Sequence, residues 1–326
     1  MPKKVDRRRF LKGSMVAAAG VVAGPVREEK ILLTHLAKAG ESAAQAESAS
    51  TDSLPTGKIG GLTISRLICG GNLIGGWAHS RDLLYASRLF RAYNTYEKIM
   101  DTLQLCEENG VNAIITNPVS GDVINRYWRE RGGKMQWIVE GHPSKKDLKT
   151  GIRKTLDQGA DAVYIQGAVG DRWVKDGLIE PLGEVVEFVK ENGVPSGVGA
   201  HALEVPVACV EAGIDPDFFV KTLHPGTYWS ARRPDQTTDV IYNRADNFWS
   251  VTPEKTIEFM KTIEKPWIAF KTLAAGAIHP REGFKYAFEN GADFVCAGMF
   301  DFQVEEDAGI ARKILSSVER QRPWRA

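Results

Sequence analysis

The sequence predicts a (β/α)8 barrel, and three observations carry that reading. Five segments repeat one phrase: a helical pattern, a glycine, a small or branched apolar residue and a short strand-like run. Eight apolar runs alternate with helical patterns over about 270 residues, the length of a single barrel. No Gly-rich turn with a following helix and acidic partner succeeds any run, which counts against the alternative, an open doubly wound sheet.

The phrase occurs at Glu108-Asn109-Gly110-Val111-Asn112, Asp157-Gln158-Gly159-Ala160-Asp161, Glu191-Asn192-Gly193-Val194-Pro195, Glu211-Ala212-Gly213-Ile214-Asp215 and Glu289-Asn290-Gly291-Ala292-Asp293. Its glycine can take the left-handed conformation that closes a helix, and the next residue supplies the apolar contact of that cap. Strands are expected at 62–69, 113–116, 135–139, 162–165, 197–200, 218–220, 266–270 and 294–297. They are apolar without alternation, as strands covered on both faces should be; only the first begins with a two-residue alternation. Helices are expected at 96–108, 145–158, 182–191, 253–264 and 281–289. Thr252 suits the cap of the 253–264 helix, with Pro253 at its first position. The connection 222–251 is long for a barrel and holds Tyr228, Trp229, Arg232, Arg233, Tyr242, Arg244, Phe248 and Trp249, so it is expected to form a lid over the mouth.

The chain has 326 residues, 43% hydrophobic and 25% charged, which places it among ordinary globular proteins. Its net charge of +1 is uneven. Residues 1–30 hold eight basic and three acidic side chains, so the remainder sums to −4 and offers no basic face for nucleic acid. Cys69, Cys106, Cys209 and Cys296 lack metal-like spacing, sit in apolar contexts and read as core residues.

The order Asp6-Arg7-Arg8-Arg9-Phe10-Leu11-Lys12, followed by a modest apolar run at 15–23 and a small-x-small site at Ala44-Gln45-Ala46, resembles a twin-arginine export signal. The run is shorter than the ~20 residues of a membrane span. The resemblance implies a signal peptide at 1–46, which leaves a linker at 47–56 before the predicted barrel at 57–326. It also implies the translocation machinery as a partner and a periplasmic or otherwise exported bacterial protein.

In a barrel the chemistry lies at strand C-termini and in the loops after them. In order these places hold Asn72, Trp77, His79, Arg81 and Asp82; Asn117; Glu140 and His142; Gln166; His201; Lys221 and His224; Lys271; and Asp301. Four of the six histidines fall on this rim. Two chemistries fit. A lysine in an apolar mouth beside a second cation has a lowered pKa and serves as nucleophile or base, so Lys271 is the first candidate, with Lys221 and Glu140 assisting. Alternatively His201, His224 and Asp301 hold a divalent metal, zinc or manganese. Asn72, His79, Arg81, Asn117, Gln166, Trp229 and Arg232 are candidate substrate-binding residues, the tryptophan for stacking on a sugar and the arginine for a carboxylate. The turn Ala274-Ala275-Gly276-Ala277 suits either a phosphate site or a tight turn of small residues.

His201, His224 and Asp301 after strands five, six and eight are similar to the metal ligands of the amidohydrolases; no His-x-His ends strand one, and Gln166 replaces the metal-bridging lysine. Ser65-Arg66-Leu67-Ile68-Cys69-Gly70-Gly71 and Gly75-Gly76-Trp77 resemble the opening strand of the aldo-keto reductases. That family's catalytic tetrad is not matched: Asn117, Glu140 and Gln166 occupy its places. The expectation is an exported enzyme on a small carbonyl-bearing or sugar-derived substrate, a lyase or isomerase using a lysine, a divalent metal or both, with no nucleotide cofactor. The alternatives are an aldo-keto-reductase-like oxidoreductase, a metal-dependent hydrolase and a non-catalytic periplasmic sugar-binding protein.

Overall fold

The structure, a computed structural model, describes residues 53–77, 83, 85–239 and 250–326. The export signal and most of the linker lie outside the described residues, as do His79, Arg81, Tyr242, Arg244, Phe248 and Trp249.

Eight strands close a barrel: β3 (Leu67–Gly70), β4 (Ala113–Thr116), β5 (Gln136–Gly141), β6 (Ala162–Ile165), β7 (Ser196–Ala200), β8 (Phe218–Thr222), β9 (Trp267–Phe270) and β10 (Phe294–Ala297). Each pairs in parallel with its sequence neighbours, and β10 closes on β3. The helices are α1 (Ala86–Tyr93), α2 (Tyr96–Glu108), α3 (Gly121–Arg131), α4 (Thr150–Asp157), α5 (Gly167–Lys175), α6 (Glu180–Glu191), α7 (Glu204–Glu211), α8 (Pro253–Lys261), α9 (Pro280–Glu289) and α10 (Asp301–Leu315). This is the (β/α)8 barrel that the repeated phrase predicts. No helix among the described residues is long and apolar enough to cross a membrane.

The repeat works in two steps. All five of its glycines have positive φ, between 69° and 97°, so each ends a helix in the left-handed region. In three of the five, the acidic or amide residue two places after the glycine then clamps the neighbouring strand. Asp161 donates its N–H to the Trp137 carbonyl and accepts the Trp137 N–H on its carboxylate, at 2.9 and 2.7 Å. Asp293 does the same with Trp267, and Asp217, two residues past the phrase's Asp215, with Ser196. Asn112 accepts the Ser65 N–H in the same way. These side chains fix the register at the N-terminal end of the barrel, leaving the opposite end to loops.

The predicted first strand, 62–69, is two strands. β1 (Thr56–Ile59) and β2 (Leu62–Ser65) form an antiparallel hairpin around Gly60-Gly61, and β3 restarts after Arg66. The early alternation belongs to this hairpin, whose Ile59 and Ile64 pack with Ile68 and Phe294 inside the barrel. The predicted helix 145–158 is shortened to α4, because Ser144 and Asp147 exchange main-chain bonds and Asp147 caps the N–H groups of Lys149 and Thr150. Pro253 opens α8 as expected, but the Thr252 hydroxyl makes no capping bond.

Inward-facing side chains alternate along each strand. On β7 those positions are Gly197 and Gly199, and the rings of Phe218 and Tyr164 occupy the space that their side chains would fill. A Cβ on Gly199 would stand 2.9 Å from the Tyr164 ring.

Candidate active site

The site forms where inward positions reach the C-terminal ends of the strands. Ile138 belongs to the interior cluster, so Glu140, two residues on in β5, shares its facing. Its carboxylate accepts from the Asn117 side-chain amide at 3.0 Å, lies 3.3 Å from His142 Nε2 and meets the Tyr164 hydroxyl at 3.5 Å. Tyr164 is buried, and burial, with Glu140 and Cys296 near it, holds its phenol well above the ordinary range.

Lys271 follows β9 directly. Its backbone lies in the left-handed region, φ 59°, which a residue with a Cβ adopts at a cost of ~1–3 kcal/mol. That turn aims the ammonium into the mouth, where Nζ stands 5.5 Å from the centroid of the Phe270 ring. Burial lowers its pKa from 10.5 to about 8, against the raising pull of Glu140, Cys296 and Asp171. Buried His201 packs against the same Phe270 ring, centroids 5.3 Å apart.

Asp171 of α5 orients His201. One carboxylate oxygen takes Nδ1 at 2.7 Å; the other accepts the main-chain N–H groups of His201 and Ala202 at 3.0 and 2.9 Å. Gly167 permits this seat, since a Cβ there would meet His201 Cε1 at 3.0 Å. Burial lowers the imidazole pKa and the two lysines lower it further, against Asp171. Burial and the lysines thus favour the neutral ring, and with Asp171 holding a proton on Nδ1 its basic nitrogen is Nε2. Glu140, Tyr164, Lys271, His201 and Cys296 thus share one mouth, linked by contact or by charge.

Other expected residues are placed differently. Lys221 has the outward parity of Phe219, which packs in the outer core. Its buried ammonium donates to the carbonyls of His201 and Thr222 and to the Thr222 hydroxyl, at 2.8, 3.2 and 2.9 Å. It braces the end of β7 rather than facing the mouth. Gln166 caps α5 by accepting the Val169 N–H. Asn72 is solvent-exposed, and the Trp229 indole is 84% exposed. The Arg232 guanidinium binds carbonyls of its own loop.

The metal reading is not supported by position. Among the described residues no three His, Cys, Asp or Glu side chains gather as a metal-binding group, so His201, His224 and Asp301 do not form one. Asp301 opens α10 at the rim and binds Tyr93 and Lys98, at 2.6 and 2.8 Å. Burial pushes its carboxyl pKa up, but these partners outweigh that and hold it below its ordinary value. His224 accepts the Ser250 N–H on Nε2 at 3.3 Å, and its Nδ1 lies 3.1 Å from the Pro225 carbonyl.

Tyr164, Asp171 and Cys296 were not anticipated. Tyr164 and Cys296 stand inside predicted strands, where counting inward parity back from the strand ends would have marked them. Asp171 left no such signal, because only the fold joins it to His201.

The fold and this mouth define a (β/α)8 barrel protein with a lysine-centred polar cluster at its C-terminal end. No family model matches the chain, and no curated protein matches it. Solved structures do. A candidate aldo-keto reductase from Pseudomonas aeruginosa aligns with TM-score 0.58 at 17% identity, over 82% of this chain and 99% of its own. A second structure so described, from the same organism, has TM-score 0.58 and 17% identity over 81% and 98%. A truncated 3-deoxy-D-arabino-heptulosonate 7-phosphate synthase from Thermotoga maritima has TM-score 0.48 and 12% identity over 82% and 96%. At such identities the first two likenesses establish the barrel and leave the reaction to the site.

Proposed function

We propose that this protein is an exported enzyme that acts through Lys271 on a small carbonyl compound, as a lyase or isomerase. The observation that carries the reading is one lysine, held half-buried in a strained backbone turn with its pKa near 8, facing the mouth beside Glu140, Tyr164 and His201. A lysine of that pKa supplies an uncharged amine near neutral pH. Its nitrogen attacks the carbonyl carbon, a C–N bond forms, and the carbonyl oxygen leaves as water. The protonated imine then draws electrons from the adjacent carbon, so a C–H or C–C bond there breaks. Glu140 and the Asp171-oriented His201 are the groups suited to take or return the proton. The twin-arginine-like order at 6–12 supports export.

Borohydride reduction in the presence of pyruvate or glyceraldehyde tests this. The expected product is one secondary amine per chain, mapped to Lys271 and absent from Lys271→Met. Labelling should rise with pH through about 8 as the amine loses its proton. Labelling of Lys271→Met to the same extent as the unaltered chain would exclude the proposal.

A further inference from the structure

A second cavity lies outside the Lys271 cluster, in the connection after β8. It measures about 470 Å³ and is lined by His224, Tyr228, Arg232, Ser250 and Val251, among others. That volume falls within the range of small-molecule sites. Two of its groups are unusual. The Ser250 hydroxyl belongs to a residue only 8% exposed and has no hydrogen-bond partner among the described residues. Buried polar atoms are nearly always paired, so an orphan on a cavity wall marks a place for a ligand atom. Arg232 has its Nε on the Gln236 carbonyl and its Nη2 on the Thr238 carbonyl at 2.9 Å, so the loop itself holds the guanidinium in place. Among the described residues it forms no ion pair.

His224 and Tyr228 set the rest of the wall. His224 receives the Ser250 N–H on Nε2 and directs Nδ1 toward the Pro225 carbonyl, which makes it the neutral tautomer and pins Ser250. The Tyr228 ring meets it edge-on, centroids 5.4 Å apart. Ala231, Pro234 and Val251 add apolar surface.

We infer that this cavity binds a small organic carboxylate, its two oxygens received by the Arg232 guanidinium and the Ser250 hydroxyl and its apolar part lying against Val251 and Pro234. A guanidinium presents its N–H groups in a fork that matches a carboxylate. With Arg233 turned to Asp235, Arg232 offers the cavity one positive charge, which suits a monoanion better than inorganic phosphate.

The inference stands apart from the Lys271 reading and is tested with probes that cannot form an imine. Calorimetric titration and thermal unfolding of the full chain would use propionate and inorganic phosphate at fixed ionic strength. Saturable binding of propionate, weakened at least tenfold in Arg232→Gln and several-fold in Ser250→Ala, is expected. Lys271→Met should bind as the unaltered chain does. Ser250→Ala should unfold at an unchanged or higher temperature without ligand, because it removes an unpaired buried hydroxyl. Absence of saturable binding, propionate binding that survives Arg232→Gln, or tighter binding of phosphate would overturn the assignment.

Discussion

Two lysines at neighbouring strand ends show how facing decides a residue's role. Lys221 and Lys271 are both lowered by burial to about 8, yet one braces main-chain carbonyls and the other faces the mouth. Both were visible in the sequence as strand-end lysines; their facing was not. Lys221 ends a run whose parity depends on which of Phe218 and Phe219 enters the barrel, and both are phenylalanine. A lysine lowered on folding has a definite effect on stability. Between about 8 and the ordinary 10.5 the unfolded chain binds more protons than the native one, so stability rises with pH across that window. Below it both states are protonated and the full cost of burying the charge remains. For Lys221, nearly inaccessible, that cost is on the order of 3 kcal/mol. Lys221→Met should flatten the rise. Urea unfolding at pH 8, 9 and 10 measures it, and equal slopes in the variant and the unaltered chain would rule out a buried ammonium at this position.

At the scale of the element, β7 controls the mouth by what it lacks. The repeated helix–glycine–strand phrase was legible because it rests on local backbone chemistry, and its five glycines do close helices in the left-handed region. The inward glycines of β7 were legible only as strand residues. Their purpose depends on Tyr164, whose side chain lies over them from the adjacent strand β6. A Cβ at Gly199 would stand 2.6 Å from the Ile165 carbonyl oxygen, 2.9 Å from the Gly167 nitrogen and 2.9 Å from the Tyr164 ring. Two of these are backbone atoms of adjoining elements, which cannot yield cheaply. Gly199→Ala should therefore cost ~1–3 kcal/mol and shift Tyr164 and the neighbouring His201, reducing imine trapping on Lys271. Gly183→Ala in α6 is the control. Its Cβ would meet only Ile214, at 3.6 Å, so the variant should gain slightly from helix propensity and leave trapping intact. A Gly199→Ala protein as stable and as readily labelled as Gly183→Ala would disprove the steric account.

At the scale of the molecule, the barrel's two ends divide stability from chemistry, and the closed end carries the heavier charge. Asp293, wholly buried, accepts the Trp267 N–H at 2.9 Å, Arg322 at 2.6 Å, Arg320 at 3.5 Å and the Arg325 N–H at 2.8 Å. Arg322 continues to the carbonyls of Gly291, Ile263 and Lys265. The Trp324 ring is flanked by the guanidinium groups of Arg66 and Arg320, at 3.9 and 3.4 Å, and Arg66 donates to the Asp293 and Ala326 carbonyl oxygens. Burial lowers both Arg66 and Arg320 to about 10, with the charge of Asp293 opposing it. None of this could be inferred along the chain, because Arg66 and Arg320, which meet over one ring, are far apart in the sequence. One carboxylate therefore offsets several buried guanidinium groups, and its loss would leave them facing one another. Asp293→Asn keeps the shape and one acceptor oxygen but removes the charge, so it should destabilise the fold by ~3–5 kcal/mol. Because the damage is at the end away from Lys271, the folded fraction should still be labelled there at the normal pH. A denaturation midpoint within error of the unaltered chain would mean that solvent, not Asp293, balances those arginines. Loss of labelling in the folded fraction would mean that the two ends are coupled through the strands.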